Sequence, residues 1–100
     1  MQYAFENCYN LTTVGAINKP ASVINMTRTF SNCTKLNAVP WAWSNGCDYT
    51  RAFHNTGITT AFTSTPQNGS VYNYAFTNCK NLTNTGRINS YRYTDMIGIF

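Results

Sequence analysis

Small and apolar residues return along this chain in one fixed phase. In the third instance they stand at Tyr49, Ala52, Phe53 and Thr56, an i, i+3, i+4, i+7 spacing that places them on one face of a helix. Met26, Thr29, Phe30 and Cys33 repeat the pattern, as do Tyr72, Ala75, Phe76 and Cys79. The residue in front of the phrase is Asn25, Asp48 or Asp95, types whose side chains accept from the free amides of a first helical turn. Val71 holds that place before the fourth phrase, so that helix is expected to begin less firmly. Gly57 follows the third phrase where a left-handed C-terminal residue belongs. The pattern predicts a helix of about two turns, too short to stand without packing. Behind it come "LTTVGAI", "LNAVPW", "ITTAF" and "LTNTGRI". Thr and Val favour strands, and Gly15, Pro40, Pro66 and Gly86 end the runs.

The phrase is a repeat. Phe5, Phe30, Phe53, Phe76 and Phe100 mark it, at successive gaps of 25, 23, 23 and 24 residues. Four residues before each Phe stands Met1, Met26, Tyr49, Tyr72 or Met96; after it come Asn7, Asn32, Asn55 and Asn78, then Cys8, Cys33, Thr56 and Cys79. Leu11, Leu36, Ile58 and Leu82 follow, with Ile58 one residue early. The single domain thus divides into units 1–25, 26–48, 49–71 and 72–95, with 96–100 opening a fifth. One unit cannot bury its Phe, Leu and Met alone, but identical neighbours stacked on it can. The expected fold class is α/β: a leucine-rich-repeat-like solenoid of four coils, each a short helix plus a short strand.

Met-x-x-Ala-Phe-x-Asn-Cys-x-x-Leu-x-x-Val resembles the BspA-like leucine-rich repeats of bacterial surface proteins, which also occur in phage structural proteins and some protist surface proteins. The resemblance covers all four units. It implies a right-handed solenoid used for adhesion or other protein contacts, and no catalytic residues. Unit three departs by lacking its Cys and one residue, and unit four has Thr85 where Val14 and Val39 stand.

Composition narrows the function classes. Charged residues make up 10% of the chain, and Asn, Thr, Ser and Tyr take their place, as is common in extracellular and virion-type β-rich proteins. The net charge is +4, but Lys19, Arg28, Lys35, Arg51, Lys80, Arg87 and Arg92 are scattered. They form no stripe for nucleic acid, so the charge gives only diffuse attraction to acidic surfaces. The opening residues "MQYAFENCYN" carry no signal-peptide pattern, and no apolar run reaches membrane-spanning length.

Reactive constellations are missing from the sequence. Cys8, Cys33 and Cys79 fall in a core slot, where a small buried thiol accounts for them; a disulfide between Cys8 and Cys33 stays open, and Cys47 lies outside the slot. His54 shares its slot with Glu6, Ser31 and Thr77, polar types that predict a water-facing side chain. With one histidine and no Cys-x-x-Cys, no zinc site is expected. The acids are Glu6, Asp48 and Asp95, and two of them read as caps, leaving no carboxylate pair for acid–base chemistry. The Asn slot reads as a hydrogen-bonding ladder that satisfies turn backbone between coils. No catalytic residue, cofactor or metal is therefore expected.

The segments between the ladders vary, and variable loops on a fixed scaffold carry recognition. Trp41, Trp43, Tyr91, Arg92 and Tyr93 are interface-type residues there, although Trp41 or Trp43 plugging a gap beside the shorter unit fits equally well. Phe100 joins them as a candidate contact, because Phe5, Leu11 and Val14 at one end and Met96, Ile97, Ile99 and Phe100 at the other are expected to lie open. A second copy, another chain or further sequence is expected to cover at least one end. The leading function is a non-catalytic protein-binding or structural module of a bacterial surface or phage virion assembly, such as a tail or head fibre. The alternative is a small phage-encoded inhibitor of a host defence protein, acting in the cytoplasm.

Overall fold

A computed structural model of the chain describes residues 2–15, 24–39, 46–62, 69–86 and 97–100. The expected stacking is present. Phe5 lies flat on Phe30 with ring centroids 5.2 Å apart, Phe30 on Phe53 at 5.6 Å, Phe53 on Phe76 at 5.6 Å, and Phe76 on Phe100 at 6.1 Å. Tyr49 and Tyr72 stack beside them at 5.3 Å. Met26, Phe30, Tyr49, Phe53, Tyr72 and Phe76 are fully buried. Each aromatic pair contributes about 0.5–1.5 kcal/mol beyond its buried area, so the repeat period is also the period of the core.

The expected helices are absent: among the described residues there is none. The opening phrase folds instead as consecutive tight turns. Thr29 N–H donates to Met26 O, Ser31 N–H to Arg28 O and Cys33 N–H to Phe30 O, each reaching back three residues. The amides between them leave the unit. Arg28 N–H donates to Thr50 O (3.0 Å), Phe30 N–H to Ala52 O (2.8 Å) and Asn32 N–H to His54 O (2.8 Å). Unit three repeats this toward unit four, through Arg51 to Asn73, Phe53 to Ala75 and Asn55 to Thr77. A helix would keep every amide inside its own segment. Here alternate amides serve the next unit, as strands in a sheet do, and the chain satisfies its backbone by stacking.

Turns of this kind require left-handed residues. Tyr3, Arg28, Arg51 and Tyr74 form one column with φ of 60°, 54°, 54° and 58°. Asn7, Asn32, Asn55 and Asn78 form a second, with φ of 64°, 63°, 57° and 59°. In the turns Met26–Thr29 and Phe30–Cys33 these residues hold the third place, where a type II turn demands positive φ. The i, i+3, i+4, i+7 spacing is real, but it reports two linked turns with their inward residues on one side.

Other expectations change in the same way. Asn25 and Asp48 do accept from the chain just behind them: Thr27 N–H donates to Asn25 Oδ1 (3.0 Å) and Thr50 N–H to Asp48 Oδ1 (2.9 Å). They cap turns. Asp95 lies outside the described residues. Gly57 is not left-handed; Asn55, two residues earlier, takes that role. Glycine is needed at 57 because an added Cβ would sit 2.9 Å from Thr34 O and 3.0 Å from Leu36 O.

Strand pairing is confined to two of the four expected stretches among the described residues. β1 (Thr60–Phe62) pairs in parallel with β2 (Asn84–Gly86), Thr60 opposite Asn84 and Phe62 opposite Gly86. Phe62 packs edge-on against Tyr72 and Phe76, both at 5.4 Å. Residues 11–15 and 36–39 form no strand, although Leu11, Val14 and Val39 pack on the core. Single parallel bridges at Asn25–Asp48 and Asp48–Val71 add another column of contacts between units. Cys47, expected outside the ladder, is buried in the core beside Ser70, whose Oγ accepts from Cys47 N–H at 3.1 Å.

Candidate functional site

Every unit exposes the outward side of its turns, and there the left-handed column of Tyr3, Arg28, Arg51 and Tyr74 meets the slot of Glu6, Ser31, His54 and Thr77. A groove of about 440 Å³ opens between them, lined by Glu6, Arg28, Ser31, Asn32, Arg51, His54, Tyr74 and Thr77. Successive units bring these residues together across a sequence span of 72 positions, the first supplying Glu6, the second Arg28, Ser31 and Asn32, the third Arg51 and His54, and the fourth Tyr74 and Thr77.

Charge in the groove is unevenly matched. The Glu6 carboxylate is 3.9 Å from Arg28 Nη1. Among the described residues no carboxylate pairs with Arg51, and Asp48 is committed to its own turn through Thr50. The Arg51 guanidinium lies over the Tyr74 ring, 5.1 Å from its centroid, and Arg28 lies 6.0 Å from the Tyr3 centroid. Stacking of this kind fixes the plane of a guanidinium while leaving its N–H donors free to bond.

His54 does not face open water as its slot predicts. It is half-buried, with Nδ1 2.6 Å from Thr77 Oγ1. Thr77 has one hydroxyl proton, and that proton goes to Tyr74 O at 3.1 Å. In the tautomer that matches this proton, His54 Nδ1–H is the donor and Nε2 is left as the acceptor of the neutral ring. Burial, then the positive charges of Arg51 and Arg28, lower the His54 pKa below its ordinary 6.5, with a hydrogen bond to the Thr77 backbone opposing. The ring is thus uncharged at neutral pH. Ser31, in the same slot, is buried rather than solvated.

Next to the groove, which Asn32 helps to line, the Asn column forms a side-chain ladder. Asn55 Nδ2 donates to Asn32 Oδ1 (3.0 Å), and Asn32 Nδ2 to Asn7 Oδ1 (2.8 Å). The four cysteines are free thiols. Cys33 Sγ donates to Phe5 O (3.0 Å) and Cys79 Sγ to Phe53 O (3.1 Å), each reaching the preceding unit. Thr56, standing in for the missing Cys, donates to Phe53 O at 3.0 Å. Burial raises the Cys33 and Cys79 pKa above the ordinary 9.0, which keeps both out of the reactive thiolate form. Among the described residues no three of His, Cys, Asp and Glu gather as a metal ion would require. No helix there is long and apolar enough to cross a membrane.

Of the sequence-predicted contacts, Trp41, Trp43, Tyr91, Arg92 and Tyr93 lie outside the described residues. Phe100 is 47% exposed and borders a second cavity of about 320 Å³ with Phe76, Asn78, Cys79, Lys80 and Leu82. It lies apart from the groove. Sequence reasoning missed Tyr3, Arg28, Arg51 and Tyr74. Their signal was present as a shared phase, two residues before each phrase Phe, but mixed side chains concealed it.

The model of the BspA type leucine rich repeat region (6 copies) matches residues 1–94. No match is found among curated proteins or among solved structures. On the strength of that match over nearly its whole length, the chain belongs to the BspA-type leucine-rich repeat family.

Proposed function

We propose that this chain is a non-catalytic protein-binding module displayed on a bacterial surface or in a phage virion. The observation that carries this reading is the outward Tyr3–Arg28–Arg51–Tyr74 column. Bulky residues are uncommon at positive φ and cost about 1–2 kcal/mol each there, while Gly or Asn would fit at less cost. Four of the five described places in this phase nevertheless hold Tyr or Arg, types enriched where proteins bind one another, and the fifth holds Gly98 at φ 55°. Strained residues gathered on one exposed face point to function rather than stability. Family membership supports protein contact as the role, and the low charge with an Asn-, Thr- and Tyr-rich surface supports display outside the cell. Phe100 and the aromatic residues Trp41, Trp43, Tyr91 and Tyr93, with Arg92, are proposed as further contacts.

Two measurements test the reading. Mass spectrometry of purified envelopes and virions should recover the chain, and its absence from both would contradict surface display. Turnover of peptide or glycan substrates by the purified chain would contradict a purely binding role.

A further inference from the structure

Resting on the protein-binding reading, we propose that Arg51, with Arg28, His54 and Thr77 around it, forms a receptor site for a carboxylate side chain on an acidic segment of the partner protein. Three observations support it. The Arg51 guanidinium borders a groove of about 440 Å³ and has no carboxylate partner among the described residues. Tyr74 holds its plane at 5.1 Å, and a fixed planar fork is the geometry that binds a carboxylate through two parallel N–H···O bonds. Beside it, His54 is held by its Nδ1 contact to Thr77 Oγ1 and lines the same groove.

The charge balance selects the ligand class. Arg28 and Arg51 carry two positive charges and Glu6 removes one, while His54 is neutral at pH 7. A net charge of about one accommodates a single carboxylate. Nucleic acids and sulfated glycans draw affinity from many cations in a row, and this groove offers none beyond the pair. Glu6, already beside Arg28, repels a second acid and directs the incoming carboxylate toward Arg51.

Binding should be coupled to a proton. Glu6, Arg28, Arg51 and Tyr74 line the groove around His54, whose pKa is held down first by burial and then by the two arginines. A bound carboxylate offsets that field and raises the pKa. Nε2 then protonates and becomes a second donor, so affinity rises as pH falls toward 6 and below.

The test is an NMR titration of the intact chain with an acetylated hexaglutamate peptide, using the hexaglutamine peptide as control. The expected result is a shift of the His54 ring and Arg51 Nε resonances with the Glu peptide only, and an upward move of the His54 pKa on saturation. Arg51→Asn should weaken binding by about tenfold or more while preserving the left-handed turn, and Arg51→Lys should restore part of it. Equal binding of the Gln peptide, or shifts confined to other surfaces, would overturn the proposal. So would tighter binding of a heparin fragment or of inorganic phosphate at the same resonances, since either would make the groove a general anion site. If a protein partner binds the chain and Arg51→Asn leaves that affinity unchanged, the carboxylate site falls and the protein-binding reading stands. If neither a partner nor the Glu peptide binds, both fall.

Discussion

Two columns of left-handed residues run through the same turns, four positions apart, and they obey different rules. In the column of Asn7, Asn32, Asn55 and Asn78, residue type follows from the backbone. Asn tolerates positive φ better than most residues, and its amide bonds along the stack, from Asn55 to Asn32 to Asn7. In the column of Tyr3, Arg28, Arg51 and Tyr74, the backbone demand is the same and the side chains ignore it. The first column is accounted for by folding alone. The second makes its own contacts within the chain, Arg51 over Tyr74 and Arg28 beside Tyr3, and the proposed partner would account for the choice of Tyr and Arg there. Within one repeat, the agreement between residue type and local conformation thus separates scaffold positions from recognition positions.

The comparison can be broken or sharpened by substitution. The largest effect is expected beneath both columns, at the stacked rings. Phe53→Ala removes a fully buried ring that stacks on Phe30 and Phe76 and should cost about 3–5 kcal/mol in equilibrium denaturation. Phe100→Ser, at a ring that is 47% exposed and stacks on Phe76 alone among the described rings, should cost clearly less. Equal losses would show that the stack is not the core.

Gly57→Ala comes next. Its Cβ would press on the Thr34 and Leu36 carbonyl oxygens, which belong to rigid backbone, and overpacking of that kind costs about 1–3 kcal/mol. A left-handed requirement at 57 would predict instead that Asn rescues the site. The structure predicts that Gly57→Asn is at least as damaging as Ala, measurable by thermal melting.

Asn55→Ala should cost about 1–2 kcal/mol, because Ala at φ 57° is disfavoured and the bond to Asn32 is lost. A smaller effect is expected from pH. The His54 pKa is lowered on folding, so below about 6.5 the unfolded chain takes up the proton first. Stability should therefore decline as pH falls through the ordinary histidine range, then level once the folded ring also protonates. His54→Gln should flatten that part of the profile; an unchanged slope would place the titrating group elsewhere.

How much of this was legible beforehand follows from what periodicity encodes. The positions of Phe5, Phe30, Phe53, Phe76 and Phe100 revealed the stack and its register, because burial fixes residue type at a slot. The same spacing misidentified the local structure. Met26, Thr29, Phe30 and Cys33 share a side in a helix and in two linked turns alike. What decides between them is where the Arg28, Phe30 and Asn32 amides go, and a neighbouring unit supplies that partner. The unbroken Asn slot was the available clue to a left-handed turn. The groove was hidden for a different reason: its column mixes Tyr and Arg, and their shared phase has no shared chemistry. His54 was misplaced because its slot-mates are polar, while its Nδ1 meets Thr77 Oγ1 of the next unit.

The most direct test of the central claim is equilibrium denaturation of Arg51→Asn. The substitution gives the recognition column the residue that its backbone prefers, and removes the stacking of Arg51 on Tyr74, worth about 0.5–1 kcal/mol at an exposed site. Relief of left-handed strain offsets that loss, so the midpoint should stay where it is or rise. A fall of more than about 1 kcal/mol, beyond the loss of the stacking contact, would show that Arg51 stands in the turn for stability and contradict the division between the two columns.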